Sequence, residues 1–173
     1  EIPAFQEIQE AGLGPGAGDS SADYLARKVD GLGAKLQLAV NGRNIALRAA
    51  SREMLFPEGA GGLPTMKIGA VFKGKFDVSA AERHELFYRD ENFSGRAGWK
   101  EIIASAGTGT ELIESTVPAA DRSAQLSDYP TDLLNSPPQV LEARLGFAAS
   151  GAVSTSKSKM PEPAAAPKSV TAN

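Results

Sequence analysis

Hydrophobic positions follow a helical spacing near the start of the chain and an alternating spacing afterwards. Phe5, Ile8 and Ala11 recur at helical spacing over residues 3–11, and Pro3 is tolerated in a first helical turn. Glycines at 12–18 then interrupt the pattern. Residues 21–36 predict a second helix, with Ser20 or Ser21 as its N-cap. Its apolar face comprises Tyr24, Leu25, Val29 and Leu32.

From residue 36 the pattern is typical of β-strands. LQLAV (36–40) and NIALRAA (44–50) flank Asn41-Gly42-Arg43, and Asn-Gly is a strong hairpin signal. In MKIGAVFKGKFDV (66–78), Met66, Ile68 and Phe72 alternate with lysines and glycine, which predicts a half-buried antiparallel strand. Four further segments have strand character: 84–90, 99–106, 111–117 and 139–147.

Short strands separated by Gly, Pro and Asn turns predict a mainly β fold, an antiparallel Ig-like β-sandwich with one or two short N-terminal helices. We assign residues 1–148 to this β-rich domain. Residues 149–173 consist largely of Ser, Ala, Pro and Lys without periodicity, which predicts a disordered C-terminal tail that serves as a flexible linker.

Composition excludes several classes of function. The formal net charge of −3 lacks the basic excess of a nucleic-acid-binding protein. The absence of cysteine excludes disulfides and thiolate metal sites. No apolar stretch approaches the length of a membrane span, and no signal peptide is recognisable.

The densest motif is FYRDENFSGRAGWKEII (87–103), which holds the only Trp of the chain. Its oxygen-bearing side chains and central Gly95 match the spacing of a calcium-binding loop. The ligand positions of that loop would be Asp90, Asn92, Ser94, Arg96 and Glu101. Arg96 and Lys100 place positive charge inside it, and no second loop of this kind follows, so we favour a strand, a turn and a strand with Trp99 in the core.

The sequence contains few residues that could form a catalytic or metal site. His84, the only histidine, lies between Glu82 and Glu85 and is interpreted as a solvated strand residue. No nucleophile elbow is present, and the glycines at 59–62 lack the Lys-Ser/Thr ending of a phosphate loop. We therefore expect no enzyme, no cofactor, no small-molecule substrate and no tight nickel site in this segment.

The stretch SDYPTDLLNSPPQ (127–139) is interpreted as an ordered connection with Leu133 and Leu134 inserted into the core. The alternative is a surface that contacts a partner. Arg and Trp are enriched at such contacts. The candidate contact residues are Arg96, Trp99, Tyr129, Leu133 and Leu134.

Four segments together resemble a known family: EIPAFQEIQ (1–9), FPEGAGGLPTMKIG (56–69), the 87–103 motif and the 127–139 stretch. In this order they are similar to the extracytoplasmic N-terminal domain of bacterial multi-pass membrane proteins of the nickel/cobalt transporter type. The resemblance implies a non-catalytic domain at the extracytoplasmic face of the membrane, whose first strands precede Glu1 and whose partner is the membrane region of its own parent chain. Nickel or cobalt would be the transported ion, held by residues outside this segment.

Two alternatives stay open. The first is a free-standing secreted or periplasmic β-sandwich that acts in binding or adhesion. The second is a single-loop calcium binder at residues 90–101.

Overall fold

Two helices precede seven strands in the computed structural model, which describes residues 2–13, 18–79, 82–124 and 137–149. The helices are α1 (Ile2–Glu10) and α2 (Gly18–Gly33). The strands are β1 (Leu36–Val40), β2 (Arg43–Asn44), β3 (Leu47–Leu55), β4 (Lys67–Gly74), β5 (Arg83–Asp90), β6 (Thr110–Ser115) and β7 (Glu142–Ala149). All strand pairs are antiparallel, so the predicted mainly β class is confirmed.

Both predicted helices form, and Glu7 joins them. Its carboxylate accepts hydrogen bonds from the Tyr24 hydroxyl and the Lys28 ammonium, each at 2.5 Å. These bonds, from Lys28 first and Tyr24 second, lower the pKa of Glu7. Val29 is fully buried. The predicted N-cap is wrong, because the helix already includes Gly18 and the two serines lie within its first turns.

Five strands form one sheet in the order β2-β1-β5-β7-β6, and β3 and β4 form a separate pair. In the larger sheet Val40, Ala143 and Phe147 are buried. Because side chains alternate along a strand, His84, Leu86 and Tyr88 share one face of β5, and Phe87 and Arg89 lie on the other.

The Asn41-Gly42 turn forms as predicted, with φ of 49° and 76° and Val40 opposite Arg43. Positive φ at both central residues suits a tight hairpin, and glycine adopts it without steric cost. The predicted second strand, 44–50, is wrong in extent. Its ladder with β1 ends at Asn44, and the chain enters β3 at Leu47, where it pairs with β4 instead.

The β3–β4 pair lies against α2. Gly33, at the end of α2, faces the Phe72 ring so closely that a Cβ there would lie 2.6 Å from Phe72 Cε1. Phe72 and Ala70 therefore lie on the face of β4 towards the helix, and Val71, on the opposite face, is 50% exposed.

Residues 99–106 do not form the predicted strand. Lys100 makes an isolated bridge to Gln139, and the Ala104 amide donates to Pro118 O at 3.0 Å. Ala104 packs with Val117 and Ala143 in a buried cluster. Its backbone groups bond to Pro118, Pro138 and Val140, which lie outside the strands, so the segment obtains only scattered backbone bonds and contributes chiefly side chains to the core.

His84 is 4% exposed, so its interpretation as a solvated residue is wrong. Its Nδ1 lies 3.0 Å from the Asn41 amide nitrogen, and its Nε2 lies 2.8 Å from Ser79 O. A neutral ring that carries its proton on Nε2 satisfies both neighbours. The Phe147 ring lies 5.5 Å away, centroid to centroid.

Neither described helix is long and apolar enough to cross a bilayer. Residues 150–173, which make up all but the first residue of the predicted tail, lie outside the described residues, and Ala149 ends β7.

Candidate partner-binding cavity after strand β5

The 87–103 motif encloses a cavity of about 550 Å³ at the end of β5. Its walls come from the turn that follows Asp90, from the extended segment 99–103, and from Asp121, Ser123, Val140 and Leu141. A volume of this size is in the usual range for a ligand or anchor pocket.

Asn92 fixes the start of the turn. Asp90 Oδ1 accepts hydrogen bonds from the Asn92 backbone amide and side-chain amide, both at 2.8 Å. The same side-chain amide donates to Leu32 O in α2 at 3.0 Å. Asn92 is 8% exposed, and it therefore ties the turn to the helix as well as to β5.

Phe93 is the next residue, and it adopts a positive φ of 52°. A bulky residue rarely adopts this conformation, which costs on the order of 1–3 kcal/mol and occurs often at functional sites. The Phe93 side chain is 50% exposed, and the Arg96 guanidinium lies 5.5 Å from its ring centroid. An exposed ring and an exposed guanidinium thus stand together at the cavity.

Trp99 is partly buried in the cavity wall and is absent from the buried core, so its predicted core position is wrong. Its Nε1 donates to Glu101 Oε2 at 3.1 Å. The physical reason for this placement is that residues 99–103 do not enter a sheet, so the indole is not held between two sheets.

Glu101 is the central acid of the cavity, with a side chain only 8% exposed. Its Oε1 accepts from the backbone amide and Nε of Arg122, each at 3.4 Å. Burial raises the pKa of Glu101, but hydrogen bonds from Trp99, Ser123 and Arg122 outweigh it, so the pKa lies below its ordinary value. The carboxylate is a structural acceptor at this position.

Gln139, the last residue of the 127–139 stretch, lies outside the cavity lining but ties two parts of the cavity wall region together, and the sequence analysis did not select it. Its amide donates to Gly98 O, and its Oε1 accepts from Lys100 Nζ at 2.6 Å. Backbone bonds of 2.8 and 3.0 Å between Lys100 and residues Pro138 and Val140 join the same two segments. Only the tertiary structure shows this role of Gln139, because it depends on the segment before β7 lying beside Lys100.

Of the proposed calcium ligands, Asp90, Asn92, Arg96 and Glu101 line this cavity, and Ser94 is exposed outside it. Asp90 and Glu101 each accept hydrogen bonds from neighbouring side chains. The turn follows a strand and leads into an extended segment, without the flanking helices of a helix–loop–helix calcium site. Within the described ranges, three or more His, Asp or Glu side chains do not come together as a metal-binding group.

Two of the candidate contact residues, Arg96 and Trp99, line the cavity together. The others, Tyr129, Leu133 and Leu134, lie outside the described residues. Phe93, which the sequence analysis did not select, joins the first two at the cavity.

Comparison of the chain with protein-family models, with curated proteins and with solved structures found no match.

Proposed function

We propose that this chain is a non-catalytic partner-binding domain on the extracytoplasmic side of a bacterial multi-pass membrane protein of the nickel/cobalt transporter type. In this proposal its partner is the membrane region of its own parent chain, and nickel or cobalt is cargo handled there. An Ig-like sandwich is the proposed finer fold, supported by the two separate antiparallel sheets. The transporter assignment is supported by the resemblance of the four sequence segments.

The composition of the cavity after β5 carries the binding part of the proposal. Phe93, Arg96 and Trp99 line one concave surface, and aromatic residues and arginine supply most binding energy at protein interfaces. Phe93 is half exposed and conformationally strained, whereas an ordinary surface turn would place a small or polar residue there.

A non-catalytic role is proposed because the polar groups of the cavity are engaged in holding its walls. Asp90 holds Asn92, Glu101 holds Trp99 and Arg122, and Lys100 holds Gln139. General acid or base catalysis requires a group positioned to exchange a proton with a substrate, and these bonds oppose that role.

Site-specific photocrosslinking in the full-length parent protein tests the contact. A photoreactive residue in place of Phe93 should crosslink to the membrane region of the same protein. The control is the same residue in place of Ile113, which is 48% exposed in β6 and lies outside the cavity lining. Crosslinks to the membrane region from both positions, or from neither, would overturn the proposed contact.

Reading the coding sequence beyond Asn173 tests the parent. Apolar spans of about 20 residues that bear His and Asp support the transporter assignment. A stop codon after the linker favours the secreted or periplasmic module. A rise in melting temperature at millimolar calcium that is lost in Glu101→Gln favours the calcium binder.

A further inference from the structure

A second cavity, of about 530 Å³, lies between the five-stranded sheet and the segment that follows Trp99. Its floor is the face of the sheet that carries Leu86 and Tyr88, and residues 101–105 form its other wall. We call it the sheet-face cavity. Its volume is in the usual range for a small-molecule pocket. Residues 101–103 line both cavities, but the sheet-face cavity contains none of Phe93, Arg96 and Trp99.

The floor of the sheet-face cavity is largely apolar, because three neighbouring strands contribute side chains of the same kind. Tyr88 of β5 lies opposite Leu38 of β1, and Leu86 of β5 lies opposite Leu145 of β7. The three leucines are only partly buried, and Ile103 on the other wall is 44% exposed. The described residues therefore leave apolar surface uncovered in this cavity, and a ligand with an apolar body would bury it.

The charged groups at the polar end of the cavity are carboxylates, and its described lining contains no Lys, Arg or His. Glu101 is paired with Arg122. Asp90 accepts hydrogen bonds from Asn92 but forms no ion pair with a described residue. Asp90 therefore brings a negative charge to the cavity that no described cation neutralises.

The Tyr88 hydroxyl is a second polar group in this cavity. It forms no hydrogen bond with a described residue. Burial, with a smaller effect of Asp90, raises its pKa to about 12, so the phenol is neutral at physiological pH and its oxygen can accept a hydrogen bond. The face of its ring also attracts a cation.

The lining of this cavity discriminates between classes of ligand. A carboxylate or a phosphate would face Asp90 without a lining cation to offset the repulsion. A metal ion would leave the apolar floor uncovered, and the described ranges contain no group of three His, Asp or Glu side chains that could hold it. A compound with an apolar body and an ammonium group satisfies both the floor and the carboxylate.

We propose that the sheet-face cavity binds a small hydrophobic amine. The ammonium group lies beside Asp90 and donates hydrogen bonds to its carboxylate and to the Tyr88 hydroxyl. The apolar body covers the exposed parts of Leu38, Leu86 and Leu145. This binding is additional to the partner contact proposed above and does not depend on it.

Isothermal titration calorimetry of the full chain with two matched probes tests the inference. Octylamine and octanoate carry the same kind of alkyl chain and opposite charges at neutral pH. Octylamine should bind at least about tenfold more tightly, because only its charge is attracted by Asp90. Equal binding of the two probes, or tighter binding of octanoate, overturns the inference. Binding of neither probe also overturns it and is the result expected if residues 125–136, which lie outside the described ranges, fill the cavity.

Three variants locate the site. Asp90→Asn keeps an oxygen that can accept from Asn92 but removes the charge, and octylamine should bind at least about fivefold more weakly. Tyr88→Phe removes only the hydroxyl and should weaken binding by about threefold. Glu85→Gln is the matched control, because it removes an exposed carboxylate from the opposite face of the same strand, and it should leave the affinity unchanged. Unchanged affinity in either of the first two variants overturns the inference, as does equal weakening in the control.

Discussion

The two sheets of this molecule treat their charged cross-strand pairs in opposite ways. In the five-stranded sheet Arg89 lies opposite Glu142, and the two side chains form an ion pair at 2.7 Å. In the β3–β4 hairpin Arg48 lies opposite Lys73, and no described acid pairs with either. The first sheet thus contains a paired cross-strand contact, whereas the facing cations of the second form no ion pair with a described residue.

Burial follows the same division. The five-stranded sheet and the segment after Trp99 contain Val40, Ala104, Ala143 and Phe147 among their buried residues, whereas no β3 or β4 residue is buried to that degree. A two-stranded hairpin is marginally stable alone. The hairpin therefore depends on its packing against α2.

Truncation of a side chain in each sheet gives the largest expected contrast. Phe147→Ala removes a ring that is 7% exposed and contacts His84 and Phe76. It should lower the free energy of unfolding by about 3 kcal/mol, from lost burial and the cavity left behind. Val71→Ala, in the hairpin, should change it by less than about 0.5 kcal/mol. Urea unfolding of both variants checks this, and equal losses would contradict the division.

Alkaline pH should destabilise the five-stranded sheet through Tyr88. Burial, with a smaller effect of Asp90, raises the pKa of Tyr88 from 10.0 to about 12. The neutral phenol is therefore favoured in the folded state. The contribution of the neutral phenol to folding stability is complete below pH 10 and is lost as pH rises towards 12. The loss should reach about 2 kcal/mol.

The measurement is urea unfolding at successive pH values between 9 and 12 for the unaltered chain and for Tyr88→Phe, across the interval set by the two pKa values. The variant should lose less stability over this interval. Parallel curves for the two proteins would show that Tyr88 does not titrate as described.

Glu101→Gln should loosen the cavity wall by a smaller amount. The carboxylate accepts from Trp99 and Arg122, and the neutral amide binds these donors less strongly, so stability should fall by about 1 kcal/mol. Because folding lowers the pKa of Glu101, the contribution of its carboxylate to stability is present above about pH 4.5 and is lost as pH falls.

Thermal unfolding followed by Trp99 fluorescence measures this effect. Glu111→Gln, at an exposed position of β6, is the control and should leave the transition unchanged. An unaltered emission spectrum and transition in Glu101→Gln would contradict the described bond between the indole and the carboxylate.

The smallest expected effect has the opposite sign. Arg48→Glu places a carboxylate opposite Lys73 and replaces a like-charge pair by an opposite-charge pair. Stability should rise by about 0.2–1 kcal/mol at low salt. Because exposed charges are screened, the gain should shrink as salt is added. Denaturant unfolding at two salt concentrations measures it, and a loss of stability would mean that Arg48 has a favourable contact in the fold.

Local patterns predicted most of the elements. Apolar residues at helical spacing around Ile8 and around Val29 indicated the two helices, Asn41-Gly42 indicated the turn, alternation indicated β4, and strand character indicated β5, β6 and β7. Segment 99–106 was predicted as a strand in the same way as β5, β6 and β7, yet it forms no strand. Its backbone groups bond to Pro118, Pro138 and Val140 outside the strands, and these partners are distant in the chain from most of the segment.

In the candidate site, too, the sequence indicated some residues and only the structure identified others. Sequence reasoning selected Arg96 and Trp99 by residue type, and the structure places both at one cavity. It did not select Phe93, whose positive φ is a property of the folded turn. It also did not select Gln139, which reaches Gly98 and Lys100 from a distant part of the chain.

Sequence alone therefore determined the elements whose cause is local: helical spacing, strand alternation and the Asn-Gly turn. Tertiary structure decided which strands pair, that His84 is buried against Phe147, and that Arg48 stands opposite Lys73. Periodicity sets which face of a strand is apolar, whereas pairing depends on the competition among all strands for backbone partners. That competition involves residues far apart in the chain, and no local window of the sequence contains it.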